Sequence, residues 1–414
     1  MPEAPPRTVA FVCGSAAMSG VEFSLLYLLQ RLDRAQWTPV VLCPEEGDLT
    51  AACREIGVAT HQVEAPAVYS TSLRMGNERR LPNPAALAWN SCSLLLAGAS
   101  TARLLRKLNP RLVVTKGIFA HLYGGLAARR LGTPCIWHLQ DLISERHWGA
   151  YRWLFATLAA RIPARLVADG SPIRGQLPPA VQARTSVVYN GVGTEEFRPG
   201  RDGGRVRREL DIPQDALVIG SVARLTPWKG QHYLLEAFAR MAAEMPRAVL
   251  LLVGGRLLDS DSYERKLRSM VAQTGLARRI VFAGHRTDLP EVLAAIDVFV
   301  HTATEKDTCP LALVSAMASG LPVVAFDIEG VREVVGDGSE SLLVPRADTG
   351  SLAEALLRTY RDARLRERLG AASRRKAEES FSLERHCELM QGVFAEVCGC
   401  RHELPSEASV VYSQ

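Results

Sequence analysis

Short, unbroken apolar runs alternate with amphipathic stretches along nearly the whole chain. Thr8–Cys13 is β-rich and closes on Gly14, and Glu22–Leu32 follows with apolar residues at helical spacing. Pro39–Cys43 is a second strand and Leu49–Glu55 a second helix; Arg111–Thr115, Pro134–His138, Arg165–Ala168 and Ser186–Tyr189 continue the rhythm. It pauses at Tyr189–Gly204, rich in Gly, Pro and charge, which reads as a linker. It then restarts with strands at Leu217–Val222, Ala248–Val253, Ile280–Ala283, Val298–His301, Pro322–Ala325 and Ser341–Val344, again with helices between. Continuous apolar strands separated by helices predict parallel sheets covered on both faces.

The pattern therefore predicts an α/β chain of two consecutive Rossmann-like, doubly wound domains. The first runs over 1–195 and the second over 196–381. A last helix at 382–397, with Ser382 as N-cap, is expected to pack back on the first domain, and 398–414 is an aperiodic tail. A length of 414 residues suits two such domains. Ligands of doubly wound sheets bind at the carboxyl ends of the strands, so the expected site is a cleft across which the two domains face.

Composition narrows the function classes. With 47% hydrophobic and 22% charged residues, the chain is of the soluble globular type. The net charge of +5 is small for this length, and basic residues are spread out, so no nucleic-acid footprint is indicated. The nine cysteines form no C-x-x-C pair, which supports neither a disulfide framework nor a zinc site and predicts reduced thiols. The opening MPEAPPRT has no charged-then-apolar signal pattern, and the apolar stretch Leu87–Leu105 is interrupted by Asn90, Ser91, Ser93 and Arg103. A cytoplasmic protein is expected, with peripheral contact at the inner face of a membrane left open. Arg146–Arg165 mixes Trp148, Tyr151, Trp153 and Phe155 with Arg, and reads either as a domain helix or as an interfacial one.

Candidate chemistry lies at strand ends. Arg224 and Lys229 stand in the loop between the strand ending at Val222 and a helix beginning near Gly230. Two cations beside a helix N-terminus form either a diphosphate site or a pair of solvated loop charges. Gly254-Gly255 after the next strand permits close backbone approach to a ligand, or simply a turn. Asp259-Ser-Asp261 has the form of a metal-binding D-x-D, but it precedes a helical run and reads as a cap.

With these segments set out, the chain is similar to family 4 of the retaining glycosyltransferases, which have the GT-B fold. "VARLTPWKG" resembles the family's phosphate-binding loop, "SAMASGLPVVA" its "EAMASGLPVVA", and "VVYNGVGTEEFRP" its interdomain signature. "VFAGHRTDLPEVLAAIDVFV" and "EGVREVVGDGSESLLVPRAD" resemble the stretches on either side, and Gly14–Glu22 resembles the "GG-E" loop, with Ser19 in place of its first Gly. The likeness runs from about Val9 to Val397.

The resemblance implies donor contacts from Gly20, Gly254, Gly255, Arg224, Lys229, Asp307, Cys309, Pro310, Leu311 and Ser315, and acceptor contacts from Glu22 and Asp141. It implies catalytic roles for His138, Asp307, Arg224 and Lys229, with His138 of "IWHLQD" beside the donor sugar, while His121 is read as structural. One position departs from the family: its second acid, which holds the ribose hydroxyls, is replaced by Ser315. The expected partners are a UDP- or GDP-linked sugar and a hydroxyl acceptor (a glycan, a lipid-linked or a small molecule), with no nucleic acid, no metal and no cofactor beyond the nucleotide sugar. The activity implied is metal-independent, front-face transfer of a hexosyl or N-acetylhexosaminyl group with retention. A catalytically impaired nucleotide-sugar-binding relative and an epimerase of the same fold are the alternatives. Ala65–Pro84, with Tyr69, Arg74, Arg79 and Arg80, reads as an acceptor loop or as a solvated one.

Overall fold

A computed structural model describes residues 5–65, 72–75, 79–142, 150–255, 261–305, 307–336 and 341–400. The chain divides into two units, Met1–Val188 with His386–Gln414, and Tyr189–Arg385. Unit 1 is built from β1 (Arg7–Cys13), α1 (Gly20–Arg31), β2 (Trp37–Cys43), α2 (Asp48–Glu55), β3 (Ala59–Gln62), the hairpin β4 (Ser72–Met75) and β5 (Arg79–Pro82), α3 (Pro84–Leu108), β6 (Leu112–Lys116), α4 (Ile118–Leu131), β7 (Cys135–Leu139), α5 (Ala150–Arg161), β8 (Arg165–Ala168), α6 (Ser171–Gly175), α7 (Pro179–Gln182) and β9 (Thr185–Val187). Unit 2 follows with α8 (Gly204–Glu209), β10 (Leu217–Val222), α9 (Gln231–Met241), β11 (Ala248–Val253), α10 (Asp261–Thr274), β12 (Ile280–Gly284), α11 (Leu289–Ala294), β13 (Val298–His301), α12 (Leu311–Ala318), β14 (Val323–Asp327), α13 (Glu329–Val335), β15 (Leu342–Pro345), α14 (Thr349–Arg361) and α15 (Ala363–Ser380), before α16 (Leu383–Val397).

Both main sheets are parallel, as runs of fully apolar strand residues require. Unit 1 carries seven strands in the order β3-β2-β1-β6-β7-β8-β9, and unit 2 six in the order β12-β11-β10-β13-β14-β15. In each sheet the chain first winds one way from its opening strand and then restarts on the other side. The reversal leaves a crevice at the carboxyl ends of β1 and β6 in unit 1, and of β10 and β13 in unit 2. Helices cover both faces: in unit 2 one core gathers Leu313, Met317 and Val331 and the other Leu234, Phe238 and Leu356.

Unit 1 is closed by the end of the chain. Phe394 of α16 is fully buried, with its ring 6.1 Å from Phe11 and 5.6 Å from Trp37, both edge-on. On the opposite face of the sheet lie α3, α4 and α5, whose inward residues include Ala97, Tyr123, Ala127 and Phe155. α3 is turned against its composition: it buries Ala86, Asn90, Ser93, Ala97, Ser100 and Thr101, while Leu87, Trp89, Leu95 and Leu96 are exposed. Arg146–Arg165 is described only in part. Within α5, Phe155 and Ala159 are buried but Trp153 is 70% exposed, so the segment is neither a plain buried helix nor a purely external one.

Candidate active site

In unit 2 the switch between β10 and β13 gathers residues far apart in sequence. Pro227–Lys229 forms one 3-10 turn after β10. The carbonyl of Lys229 accepts from Thr302 Oγ1 at 2.9 Å, and that of Trp228 from the Thr304 amide at 2.7 Å, which fixes the turn to the loop after β13. The Lys229 ammonium pairs with Asp307 and lies 4.2 Å from the centre of the Trp228 ring. His301, buried at the end of β13, places Nε2 3.2 Å from the same carboxylate at an angle too oblique for a full hydrogen bond. Burial by itself would raise the Asp307 carboxyl; the Lys229 charge and the facing His301 outweigh it and hold the group well below the usual carboxylate range. Burial also lowers His301, against the pull of Asp307, which keeps its ring neutral. Arg224, at the end of the same loop, is exposed, and its carbonyl accepts from Gln231 Nε2 at 2.9 Å.

The loop carrying Asp307 is set by a close approach. A Cβ on Gly330, in the first turn of α13, would come within 2.4 Å of the Asp307 carbonyl oxygen, so only glycine lets α13 lie under this loop. Cys309 and Pro310 are buried, and the Cys309 carbonyl accepts from Asn190 Nδ2 at 3.1 Å. They lead into Leu311, where α12 starts with first-turn amides that have no partner within the helix. Ser315 lies one turn further on and is 2% exposed, with its carbonyl accepting from Ser319.

An open pocket lies at the carboxyl ends of β11 and β12, lined by Gly254, Gly255, Glu264, Arg268 and His285. Gly254 has φ +154°, and a Cβ there would overlap the Ala223 carbonyl; the residue is needed for the turn itself as well as for the pocket wall. Of the D-x-D pair, Asp259 lies outside the described residues, and Asp261 opens α10. Among the described residues no group of three His, Cys, Asp or Glu could hold a metal ion. All nine cysteines are free thiols.

Unit 1 holds the other expected residues. Gly20 is exposed at the start of α1, and Glu22, 8% exposed, accepts from Ser19 Oγ. His138 is 1% exposed and sits within β7 beside Lys116 of β6, its register partner. The Lys116 ammonium lies 3.3 Å from His138 Nδ1, and His138 Nε2 lies 3.3 Å from Asp169 Oδ1, again obliquely. Gln140 Nε2 donates to the other Asp169 oxygen at 3.2 Å. Burial, and then the Lys116 charge, push His138 well below the usual histidine range, so the ring is neutral and its Nδ1 accepts from lysine. Burial also lowers Lys116, to about 8, against the opposing pull of Asp169. The imidazole expected at the donor sugar is thus buried inside the unit, with Nδ1 on Lys116 and Nε2 facing Asp169 without a full hydrogen bond.

His121 lies across the sheet from His138, stacked on Trp137 at 5.0 Å, with Nδ1 2.7 Å from Thr115 Oγ1. Burial lowers it to about 3, as suits a core histidine. It also lines a small pocket at the carboxyl ends of β6 and β7 with Val21, Ile118, Gln140, Asp141 and Phe155. Asp141 is exposed there. Of the acceptor loop, Tyr69 lies outside the described residues, while Arg74, Arg79 and Arg80 fall on the hairpin β4–β5. Sequence reasoning passed over Lys116, His301 and Asp169. The available signal was a charged or imidazole side chain ending an apolar strand, as in LVVTK and VFVH.

Two family models match the chain: Glycosyltransferase Family 4 over residues 18–196 and Glycosyl transferases group 1 over 204–376. Among curated proteins, the D-inositol 3-phosphate glycosyltransferase of Stackebrandtia nassauensis is 37% identical over 198 residues, 46% of this chain and 44% of that protein. This chain therefore spans less than half the length of that relative. The UDP-Gal:alpha-D-GlcNAc-diphosphoundecaprenol alpha-1,3-galactosyltransferase of Escherichia coli is 26% identical over 388 residues, 90% of this chain and 95% of that protein. Among solved structures, Anabaena HepE in complex with UDP-glucose has a TM-score of 0.79 at 22% identity, covering 94% of this chain and 100% of its own. That likeness is one of fold, and the fold is GT-B, as the sequence predicts.

Proposed function

Given that this chain belongs to the group 1, family 4 glycosyltransferases, we propose that it moves a hexosyl or N-acetylhexosaminyl group from a nucleotide-diphosphate sugar to an acceptor hydroxyl, with retention and without a metal. The observation that carries this reading is the Lys229–Asp307 pair at the switch point of unit 2, with exposed Arg224 on the same loop. Breaking the bond between the anomeric carbon and the diphosphate builds negative charge on the leaving oxygen. Arg224, Lys229 and the first-turn amides of α12 are the groups assigned to stabilise that charge. In the free protein Lys229 rests on Asp307; an arriving diphosphate competes for the ammonium and frees the carboxylate to accept from sugar hydroxyls. Asp307 is assigned to the sugar hydroxyls rather than to the anomeric carbon, and front-face attack by the acceptor is the route that the family resemblance implies.

The pocket beside Gly254 and Gly255 is assigned the nucleoside, with Cys309, Pro310, Leu311 and Ser315 along the diphosphate and ribose. UDP is preferred over GDP because the Escherichia coli relative is named for UDP-Gal and HepE is seen with UDP and UDP-glucose. Unit 1 is assigned the acceptor, through Glu22, Gly20 and the pocket at Asp141. His138 is assigned a positioning role, holding the end of β7 through Asp169 and Gln140. Relatives named for inositol 3-phosphate and for diphosphoundecaprenol support an acceptor that carries phosphate.

Ser315 in place of an acid favours a second reading, a relative that binds the nucleotide sugar and turns it over poorly. A thermal-shift series with UDP, GDP and ADP and their sugars, followed by donor-consumption and product-release assays, tests both. Binding to the native state should stabilise it by about 2.7 kcal/mol at a hundredfold excess over Kd. UDP-sugar consumption that depends on an added hydroxyl acceptor supports transfer, binding without consumption supports the second reading, and no shift with any nucleotide overturns both.

A further inference from the structure

The outward faces of α3, α4 and α5 have no counterpart in the chemistry assigned so far. These helices lie side by side on one face of the unit 1 sheet: α3 packs along α4, and Arg129 of α4 donates to the carbonyl of Arg161 at the end of α5. In an ordinary surface helix the large apolar residues turn inward. Over residues 86–101 of α3 the buried positions are small or polar, with Leu105 buried only near its end, and Leu95 (74% exposed), Leu96 (56%), Leu87 and Trp89 point away from the core. On the two neighbouring helices Phe119 and Leu126 of α4, and Trp153 and Leu154 of α5, are exposed as well.

The charge on these helices is one-sided. Arg103, Arg106 and Lys107 of α3, Arg129 and Arg130 of α4, and Arg152 and Arg161 of α5 are all exposed, and the three helices contain no Asp or Glu. Arg103 pairs with Glu64 of the loop after β3, and the other cations have no acidic neighbour on their own helices. Exposed leucines with two tryptophans among an excess of cations are the composition of a surface that lies in a lipid headgroup layer. We propose that unit 1 docks on an anionic bilayer through this face, its leucine, tryptophan and phenylalanine side chains entering the acyl boundary and its arginines and lysine meeting lipid phosphates. A second copy of the chain is the poorer occupant: pairing this face with itself sets cations against cations, and the three helices carry no Asp or Glu to offset them. The inference stands apart from the transferase reading, since it needs no turnover.

Sedimentation of the full chain with vesicles of phosphatidylcholine alone, or with added phosphatidylglycerol, reads it directly. Binding is expected only with the anionic lipid, weakening in high salt. Arg106→Ala with Lys107→Ala should reduce it about fivefold for each charge removed. Leu95→Glu with Leu96→Glu, and separately Trp153→Ser on the neighbouring helix, should reduce it at least tenfold while melting as wild type. Absence of binding to anionic vesicles, or binding that none of the three variants changes, overturns the proposal. Concentration-dependent dimerisation abolished by Leu95→Glu with Leu96→Glu would overturn it in favour of a second copy.

Discussion

Lys229 and Arg224 differ in what each gives up when removed. Arg224 is exposed and its side chain is free to meet an incoming anion, whereas Lys229 already neutralises a buried carboxylate. Arg224→Ala and Lys229→Ala should each lower kcat/KM for the donor at least tenfold, about 1.4 kcal/mol of barrier. Only Lys229→Ala should also lower Tm, because it leaves Asp307 without its countercharge. Wild-type kinetics in both variants would remove the assigned diphosphate site. Ser315 poses the converse question. At 2% exposure, a glutamate there puts a carboxylate into the protein interior, where burial penalises its charge. Ser315→Glu is expected to melt below wild type, and saturating UDP should narrow the gap if the ribose hydroxyls reach the new carboxylate. A gap that nucleotide leaves unchanged would place the ribose elsewhere.

At the level of elements, the register of β6 against β7 sets Lys116 directly beside His138, in two fully buried and mostly apolar strands. Because the folded pKa of Lys116 lies near 8, below the ordinary lysine value of 10.5, the native state holds fewer protons than the unfolded chain between those two values. Wild-type stability should therefore rise with pH over that window relative to Lys116→Met, with the burial penalty fully present below pH 8. Parallel stability–pH curves for the two proteins would show that the ammonium is not strained by burial. α16 tests a different kind of contact. Phe394 is enclosed by Phe11 and Trp37, so Phe394→Ala should destabilise unit 1 by about 3–5 kcal/mol through lost burial and the cavity left behind. Chemical denaturation that reports on unit 1 checks this, and a cost under 1 kcal/mol would mean that α16 is a loose cover.

For the molecule as a whole, each doubly wound sheet has one reversal of strand order, and each reversal gathers charged side chains that the chain separates widely. Lys229 and Asp307 come from loops after β10 and β13, strands that neighbour in the sheet but not in the sequence. If these cations and the α12 amides do the work of charge stabilisation, transfer should survive EDTA at full rate. Complete loss with EDTA, restored by manganese or magnesium, would return attention to Asp259 and Asp261 as ligands.

The sequence by itself determined the repeating strand–helix order, the parallel sheets and the family, because each is written in local periodicity or in contiguous motifs such as SAMASGLPVVA. It also marked Arg224, Lys229 and Asp307 for the same ligand. That Lys229 and Asp307 are a salt bridge in the free protein, with His301 facing them, depends on β10 lying beside β13, and no local pattern carries that adjacency. The burial of His138 between Lys116 and Asp169 was equally hidden: a histidine at a strand end looks alike in sequence whether it faces a pocket or the interior. The outward leucines of α3 were hidden for a related reason. An apolar run gives the helix and its length, but which side faces the sheet is settled by packing, and here small residues win the inner side because they let α3 and α4 approach closely.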